Sequence, residues 1–227
     1  MISKHFRFNK IAIFTTTVLT LMVILTTIVK ANSVLETKTN PLSQACRIDC
    51  VTPYGKILGV ASSNVVAYSN CQAQCVIFEP NHKNGTYTGI KWQCVEFARR
   101  WLLTHQGVVY GDVDIAADLW HKIDFVSRVA DGKQFKLASH LNGSNQAPQV
   151  GDLLIYAKAF FQTGHVAVVT GVDLKVGIIQ VAEQNFANQT WEGDYAREIP
   201  LIEKEGQYWL LDGYLLGWKR VLLGKGE

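Results

Sequence analysis

An excess of basic residues is missing from this chain once its first 31 residues are set apart. That leader holds four of the 22 Lys and Arg and none of the 19 Asp and Glu, leaving 18 bases against 19 acids in the remainder. A near-neutral body without a basic stripe argues against nucleic-acid binding. Charge is scarce altogether, at 18% of residues, and there is no low-complexity tract or internal repeat, so neither a disordered nor a solenoid protein is indicated. What remains is an ordinary globular composition, 48% hydrophobic over 227 residues, enough for one well-buried domain of about 100–200 residues.

The leader is built differently. Lys4, Arg7 and Lys10 precede an uncharged, Thr-interrupted apolar run from Ile11 to Val29, and Val29-Lys30-Ala31 place small or modest side chains where a signal peptidase reads. Residues 1–31 therefore read as a signal peptide cleaved after Ala31, or as an uncleaved N-terminal membrane anchor, since a run of that length also spans a bilayer. Both readings put the remainder outside the cytoplasm, secreted or periplasmic, and confine any membrane contact to the N-terminus. Residues 32–51 are polar and read as a linker.

Cysteine is also sparse, and its five positions are informative. Cys46 and Cys50 form one C-x3-C pair, Cys71 and Cys75 another, and Cys94 stands alone. In an oxidising compartment four cysteines imply two disulfides of a connectivity that spacing does not fix. Zinc is the competing reading, although the spacing is wider than the usual knuckle.

Short β-rich runs lie between Ile57 and Tyr68, and residues 79–89 (EPNHKNGTYTG) read as a surface loop. Val95, Ala98 and Leu102, with Phe97 and Trp101 beside them, predict a helix from about Trp92 to His105 that Gly107 ends. Within it Glu96 and Arg100 form an i,i+4 pair worth a few tenths of a kcal/mol. A second helical stretch is expected from about Ile115 to Ile123. From Asp152 onward DLLIYA, HVAVVTGV, GIIQVAEQN and YWLLDGYLLGWKRVLL read as strands. Helices first and antiparallel strands afterwards predict an α+β fold with N-terminal helices packed on an antiparallel sheet.

Cys94 falls in the first turn of the expected helix, where the macrodipole and unpaired amides favour a thiolate. A small buried hydrophobe is the plain alternative. A thiol nucleophile needs a base. His5 is in the leader, His82 in a turn-rich stretch, and His105 about 16 Å along the helix from Cys94 at 1.5 Å per residue. His121 and His140 have no supporting pattern. His165 opens the strand HVAVV on the face of Ala167 and Val169, where the small Ala167 leaves room for another element. Glu183 ends an apolar row of Ile179 and Val181 with Asn185 beyond it, and a carboxylate so placed needs a partner. The economical arrangement has Glu183 accept from His165 while the other ring nitrogen faces Cys94.

GIKWQCVEFARRWL, TGHVAVVT and VAEQN, in that order, resemble the CHAP (cysteine, histidine-dependent amidohydrolase/peptidase) family, and within it the bacterial glutathionylspermidine amidase domains. TPYGKILGVASSNVVAYSN and YLLGW share the resemblance, which extends over residues 52–220. It implies a papain-like CHAP fold with Cys94 as nucleophile, His165 as base and Glu183 as orienting acid. It further implies an oxyanion hole at the Cys94 amide helped by a neighbouring polar group, for which Gln93 and Asn185 are the candidates against ordinary strand-end or cap bonding, and a contact from Arg99 to a substrate carboxylate, against a solvated helix arginine. Asp112, for a substrate amine or as a turn residue, and Trp92, in the cleft or in packing, are further candidates. No metal or organic cofactor is implied. The leader points to peptidoglycan peptides as substrate; the WQCVEFARR string points to a peptide–polyamine conjugate such as glutathionylspermidine. A catalytically silent binding module of the same fold is the reading from another class.

Overall fold

The computed structural model describes residues 46–62 and 64–224, which lie within one compact unit, Leu42–Glu227. The leader and most of the linker fall outside the described residues. Among those described, no helix is long and apolar enough to cross a membrane.

Among the described residues, strands precede helices. β1 (Ile57–Ala61) and β2 (Val65–Tyr68) form one antiparallel hairpin, and β3 (Pro80–Lys83) and β4 (Thr86–Ile90) form another. The second hairpin replaces the loop expected at 79–89. Its turn is Asn84-Gly85, both at positive φ, the dipeptide that suits a tight two-residue connection. One long helix follows, α1 (Cys94–Gln106), and one short one, α2 (Asp118–Lys122). The expectation of N-terminal helices is corrected accordingly: α1 sits between hairpins and the main sheet.

That sheet has nine strands, ordered β12-β11-β10-β9-β8-β13-β7-β6-β5, with every neighbouring pair antiparallel. β5 (Val108–Tyr110), β6 (Phe125–Arg128) and β7 (Gln134–Leu141) form one flank; β8 (Leu153–Tyr156), β9 (Val166–Asp173) and β10 (Ile178–Ala182) the centre and beyond; β11 (Arg197–Lys204), β12 (Gln207–Leu210) and β13 (Leu215–Val221) complete it. β5, β6, β7 and β11 were not anticipated from the sequence. β7 nonetheless alternates, burying Phe135 and Leu137.

Two apolar clusters occupy the two faces. One joins Phe97, Ala98, Trp101 and Leu102 of α1 to Val166 and Val168 of β9. The other holds Ala167, Val169, Ile179 and Val181 with Trp218. Ala167 therefore packs away from α1, and the room expected beside it is filled by the second cluster. A one-residue bulge in β9, between the pairs Gln180↔Gly171 and Val181↔Val169, reverses the facing of its residues. It brings the odd-numbered residues that lead to His165 onto the face shared by Ile179, Val181 and Glu183.

Candidate active site

α1 begins at Cys94, after the extended Gln93, whose side chain makes no capping bond to the helix. Gly107 closes the helix in the left-handed conformation, its N–H bonding the Leu103 carbonyl at 3.2 Å. Cys94 is the free cysteine among those described, 7% exposed, in the first turn where backbone amides lack helical partners.

His165 lies just before β9, after Gly164. A side chain at Gly164 would put its Cβ 2.6 Å from the Tyr156 carbonyl and 2.8 Å from the Ala117 Cβ, and its φ is 71°. Only glycine permits this close approach, which seats the His165 backbone against β8. The His165 Nε2 donates to Glu183 Oε2 at 2.8 Å, and both side chains are buried. The remaining nitrogen, Nδ1, is left for the Cys94 sulfur, which lines the same cavity. Burial alone would lower the imidazole pKa. The Cys94 sulfur and the Glu183 carboxylate outweigh it and raise the pKa to about 9. Burial likewise works to raise the Glu183 carboxyl, and is outweighed by His165 and Arg197, which hold it below the usual range.

Arg197 is a residue the sequence did not single out. Its Nε bonds Glu183 Oε1 at 2.7 Å, one terminal nitrogen bonds Asp212 at 2.8 Å, and the other bonds the Tyr156 hydroxyl at 3.0 Å. Tyr156 in turn donates to Asp212 at 2.7 Å. Both oxygens of Glu183 are thereby fixed. The ring of His165 is walled by Tyr156 and Phe186, with centroids at 5.5 and 5.3 Å.

Beside Cys94, the Asn185 side-chain amide donates to Gln93 Oε1 at 2.9 Å, joining the two residues expected at the oxyanion hole. Asn185 is at φ 54°, a conformation asparagine tolerates better than most residues. Gln93, Cys94, His165 and Asn185 line one cavity of about 410 Å³. Its rim carries the exposed Phe78 on one segment and Phe161 on another, 83% and 53% accessible.

Residues 84–185 match the CHAP domain family, a span that takes in Cys94, His165 and Glu183. This chain carries a CHAP domain. It is 34% identical over 186 residues to the bifunctional glutathionylspermidine synthetase/amidase of Escherichia coli, covering 73% of this chain and 29% of that protein. It is 32% identical over 161 residues to the trypanothione synthetase of Crithidia fasciculata, covering 70% of this chain and 24% of that protein. A glutathionylspermidine synthase of the same organism is 35% identical over 139 residues, 59% of this chain and 19% of that protein. The chain thus spans less than a third of the length of these curated relatives.

Arg99 and Asp112 both line the cavity of the CHAP domain, and they bind each other, Asp112 Oδ1 lying 2.9 Å from the Arg99 terminal nitrogen. Arg99 is buried, held also by the Gly111 carbonyl at 2.8 Å and sandwiched near the rings of Tyr87 and Tyr110, while Asp112 is exposed. Its Nε is buried without a hydrogen-bond partner. Trp92 lies elsewhere: it stacks on Tyr68 at 4.1 Å and is not among the residues lining the cavity.

Glu96 and Arg100 differ most from expectation. Instead of a pair worth a few tenths of a kcal/mol they form a buried hub, with Glu96 fully buried. Glu96 accepts from Arg100 at 2.7 and 3.1 Å, Asn81 and Thr88 at 2.9 Å, and Gln184 at 3.1 Å. Arg100 reaches Val66 and Gln184 as well. The hub ties α1 to both hairpins and to the segment after β10 that carries Glu183 and Asn185.

The remaining cysteines form two disulfides, Cys46–Cys75 and Cys50–Cys71. Both are used in full, which removes the thiolates a zinc site would need. Two disulfides are the chemistry of an oxidising compartment.

Proposed function

We propose that this protein is an exported cysteine-dependent amide hydrolase, with peptidoglycan peptides as its substrates. The observation that carries the reading is the buried chain Cys94–His165–Glu183, in which Glu183 fixes one ring nitrogen and leaves the other for sulfur. The Cys94 sulfur attacks an amide carbonyl, forming a carbon–sulfur bond. The oxyanion is held by the Cys94 backbone N–H with the side-chain amides of Gln93 and Asn185. His165, protonated near neutral pH, gives its Nδ1 proton to the leaving amine as the carbon–nitrogen bond breaks. Water then attacks the thioester, passing a proton to His165 as the thiolate leaves. Glu183, braced by Arg197, orients the imidazole and stabilises its charge throughout. The apolar residues of the leader and the two disulfides support export, and the abundant amides outside the cytoplasm of a bacterial cell are those of its wall.

A second substrate reading rests on the similarity to the E. coli glutathionylspermidine synthetase/amidase: a peptide–polyamine conjugate whose carboxylate displaces Asp112 from Arg99. The test offers both substrates to the purified protein and to Cys94→Ser, and measures new primary amines. Release from wall peptides by the native protein alone supports the first reading. Release from glutathionylspermidine alone transfers the assignment to the second, and release from neither with an unreactive Cys94 leaves a silent binding module.

A further inference from the structure

In the segment that carries both disulfides, Ala73 and Gln74 line the cavity, and Asn70, which is fully buried, bonds one of the residues of the site. Its Nδ2 donates to Asn185 Oδ1 at 2.9 Å and to the Cys75 carbonyl at 2.6 Å. Its backbone N–H is held by Asn188 at 2.8 Å. The Cys75 carbonyl also accepts from Gln93 Nε2 at 3.2 Å. Gln93 Nε2 donates to Asn70 Oδ1 as well, at 3.5 Å. Gln93 and Asn185, the two side chains assigned to the proposed oxyanion hole, are therefore joined to each other and anchored to one short stretch, Asn70 to Cys75. That stretch is itself pinned at Cys71 and Cys75 to Cys50 and Cys46. An amide nitrogen has two hydrogens; Asn185 Nδ2 gives one to Gln93 Oε1, so a fixed orientation leaves the other for an incoming oxygen.

We infer that Asn70 is a positioning residue for acyl transfer, holding Asn185 and, through the Cys75 carbonyl, Gln93, and that the disulfide-closed segment 46–75 exists in this chain to hold it. The inference rests on the acyl-transfer reading above. Its consequence is selective. Oxyanion stabilisation acts only on reactions that pass through a tetrahedral oxyanion, so loosening this anchor slows acylation of Cys94 and spares simple displacement at its sulfur.

The selectivity can be read without knowing the natural substrate. p-Nitrophenyl acetate acylates a thiolate through a tetrahedral oxyanion: sulfur bonds the acetyl carbon, the carbon–oxygen bond breaks and nitrophenolate leaves. Iodoacetamide alkylates the same sulfur by displacing iodide, with no oxyanion. Both rates are measured on the native protein and on Asn70→Ala, with near-ultraviolet circular dichroism as the check on folding. Removing an oxyanion donor costs about 10²–10³ in rate, and misplacing Asn185 is expected to slow acylation at least about tenfold. Alkylation should stay within about twofold, because the Cys94–His165–Glu183 chain is untouched. Acylation by Asn70→Ala at the native rate overturns the inference, and so does an equal loss in both reactions, which would make Asn70 a purely structural residue. If Asn70→Ala does not fold, the double variant Cys46→Ser/Cys75→Ser, which frees the Cys75 carbonyl's segment, must show the same split or the inference fails. A native protein that alkylates at Cys94 but is never acylated there refutes the hydrolase reading itself, a result distinct from native acylation that Asn70→Ala leaves unchanged.

Discussion

Replacing Glu96 tests how the site is held together. On an exposed helix face the Glu96–Arg100 pair would be worth about 0.3–0.5 kcal/mol. In the folded protein the carboxylate is instead fully buried and accepts five hydrogen bonds. Truncation to alanine leaves the Arg100 guanidinium, itself 7% exposed, without its counter-charge. Breaking a buried pair from one side costs about 3–5 kcal/mol. The stranded donors of Asn81, Thr88 and Gln184 add to it, so Glu96→Ala should lose at least about 4 kcal/mol, a large share of a typical domain's 5–15. Glu96→Gln keeps the shape and one acceptor and should lose less. The assay is urea unfolding with disulfides intact, followed by the fluorescence of the six tryptophans. A double-mutant cycle with Arg100→Ala should give a coupling above about 2 kcal/mol. A loss under about 1 kcal/mol for Glu96→Ala, with coupling near the surface-pair value, would refute the argument that this hub is desolvated.

Three further outcomes follow from the same contacts. The pKa of His165, raised to about 9, contributes stability that is complete below about pH 6.5 and is lost as pH rises through 9, up to about 3 kcal/mol; Glu183, held low, contributes above the usual carboxylate range and loses its share as pH falls below it. The unfolding free-energy gap between native protein and His165→Gln should accordingly narrow between pH 6.5 and pH 9.5, and a constant gap would contradict the assignment. Gly164→Ala forces a Cβ onto the Tyr156 carbonyl and Ala117 at positive φ, so a loss of about 2–4 kcal/mol is expected in thermal unfolding, and an unchanged midpoint would show that the backbone yields. Lys219 is fully buried, its ammonium donating to the carbonyls of Leu119, Trp120 and Ile123 at the end of α2; Lys219→Met should cost about 3 kcal/mol, and a change below about 1 would mean water replaces it.

Some of this protein was legible in its residues. The isolated Cys94 among two C-x3-C pairs, the helical spacing of Ala98 and Leu102, and the rows ending in His165 and Glu183 are local patterns that a single strand or helix expresses. So were the central strands, whose β-branched runs need no partner to be recognised. The hairpin at Asn84-Gly85 was read as a surface loop, because its polar strands are hidden among turn residues.

What only the tertiary structure decided depends on which elements meet. The bulge in β9 sets which of its side chains face β10, and a shift of one residue would turn His165 away from Glu183. Arg197 bonds Glu183 and is itself held by Asp212 and Tyr156, the three coming from different strands or strand ends with no spacing that links them. Glu96 and Arg100 read only as a weak i,i+4 pair because helical periodicity reports only the helix's own faces; the hairpins that cover them are distant in sequence. Disulfide pairing was undetermined for the same reason: four cysteines permit three connectivities, and the choice of Cys46–Cys75 with Cys50–Cys71 follows from how the chain before β1 lies against the segment after β2. Residue type and periodicity determined which side chains are candidates for the chemistry, since these are properties of single elements. Long-range pairing decided their charge, orientation and support, since those depend on burial and partners that exist only once the elements are packed.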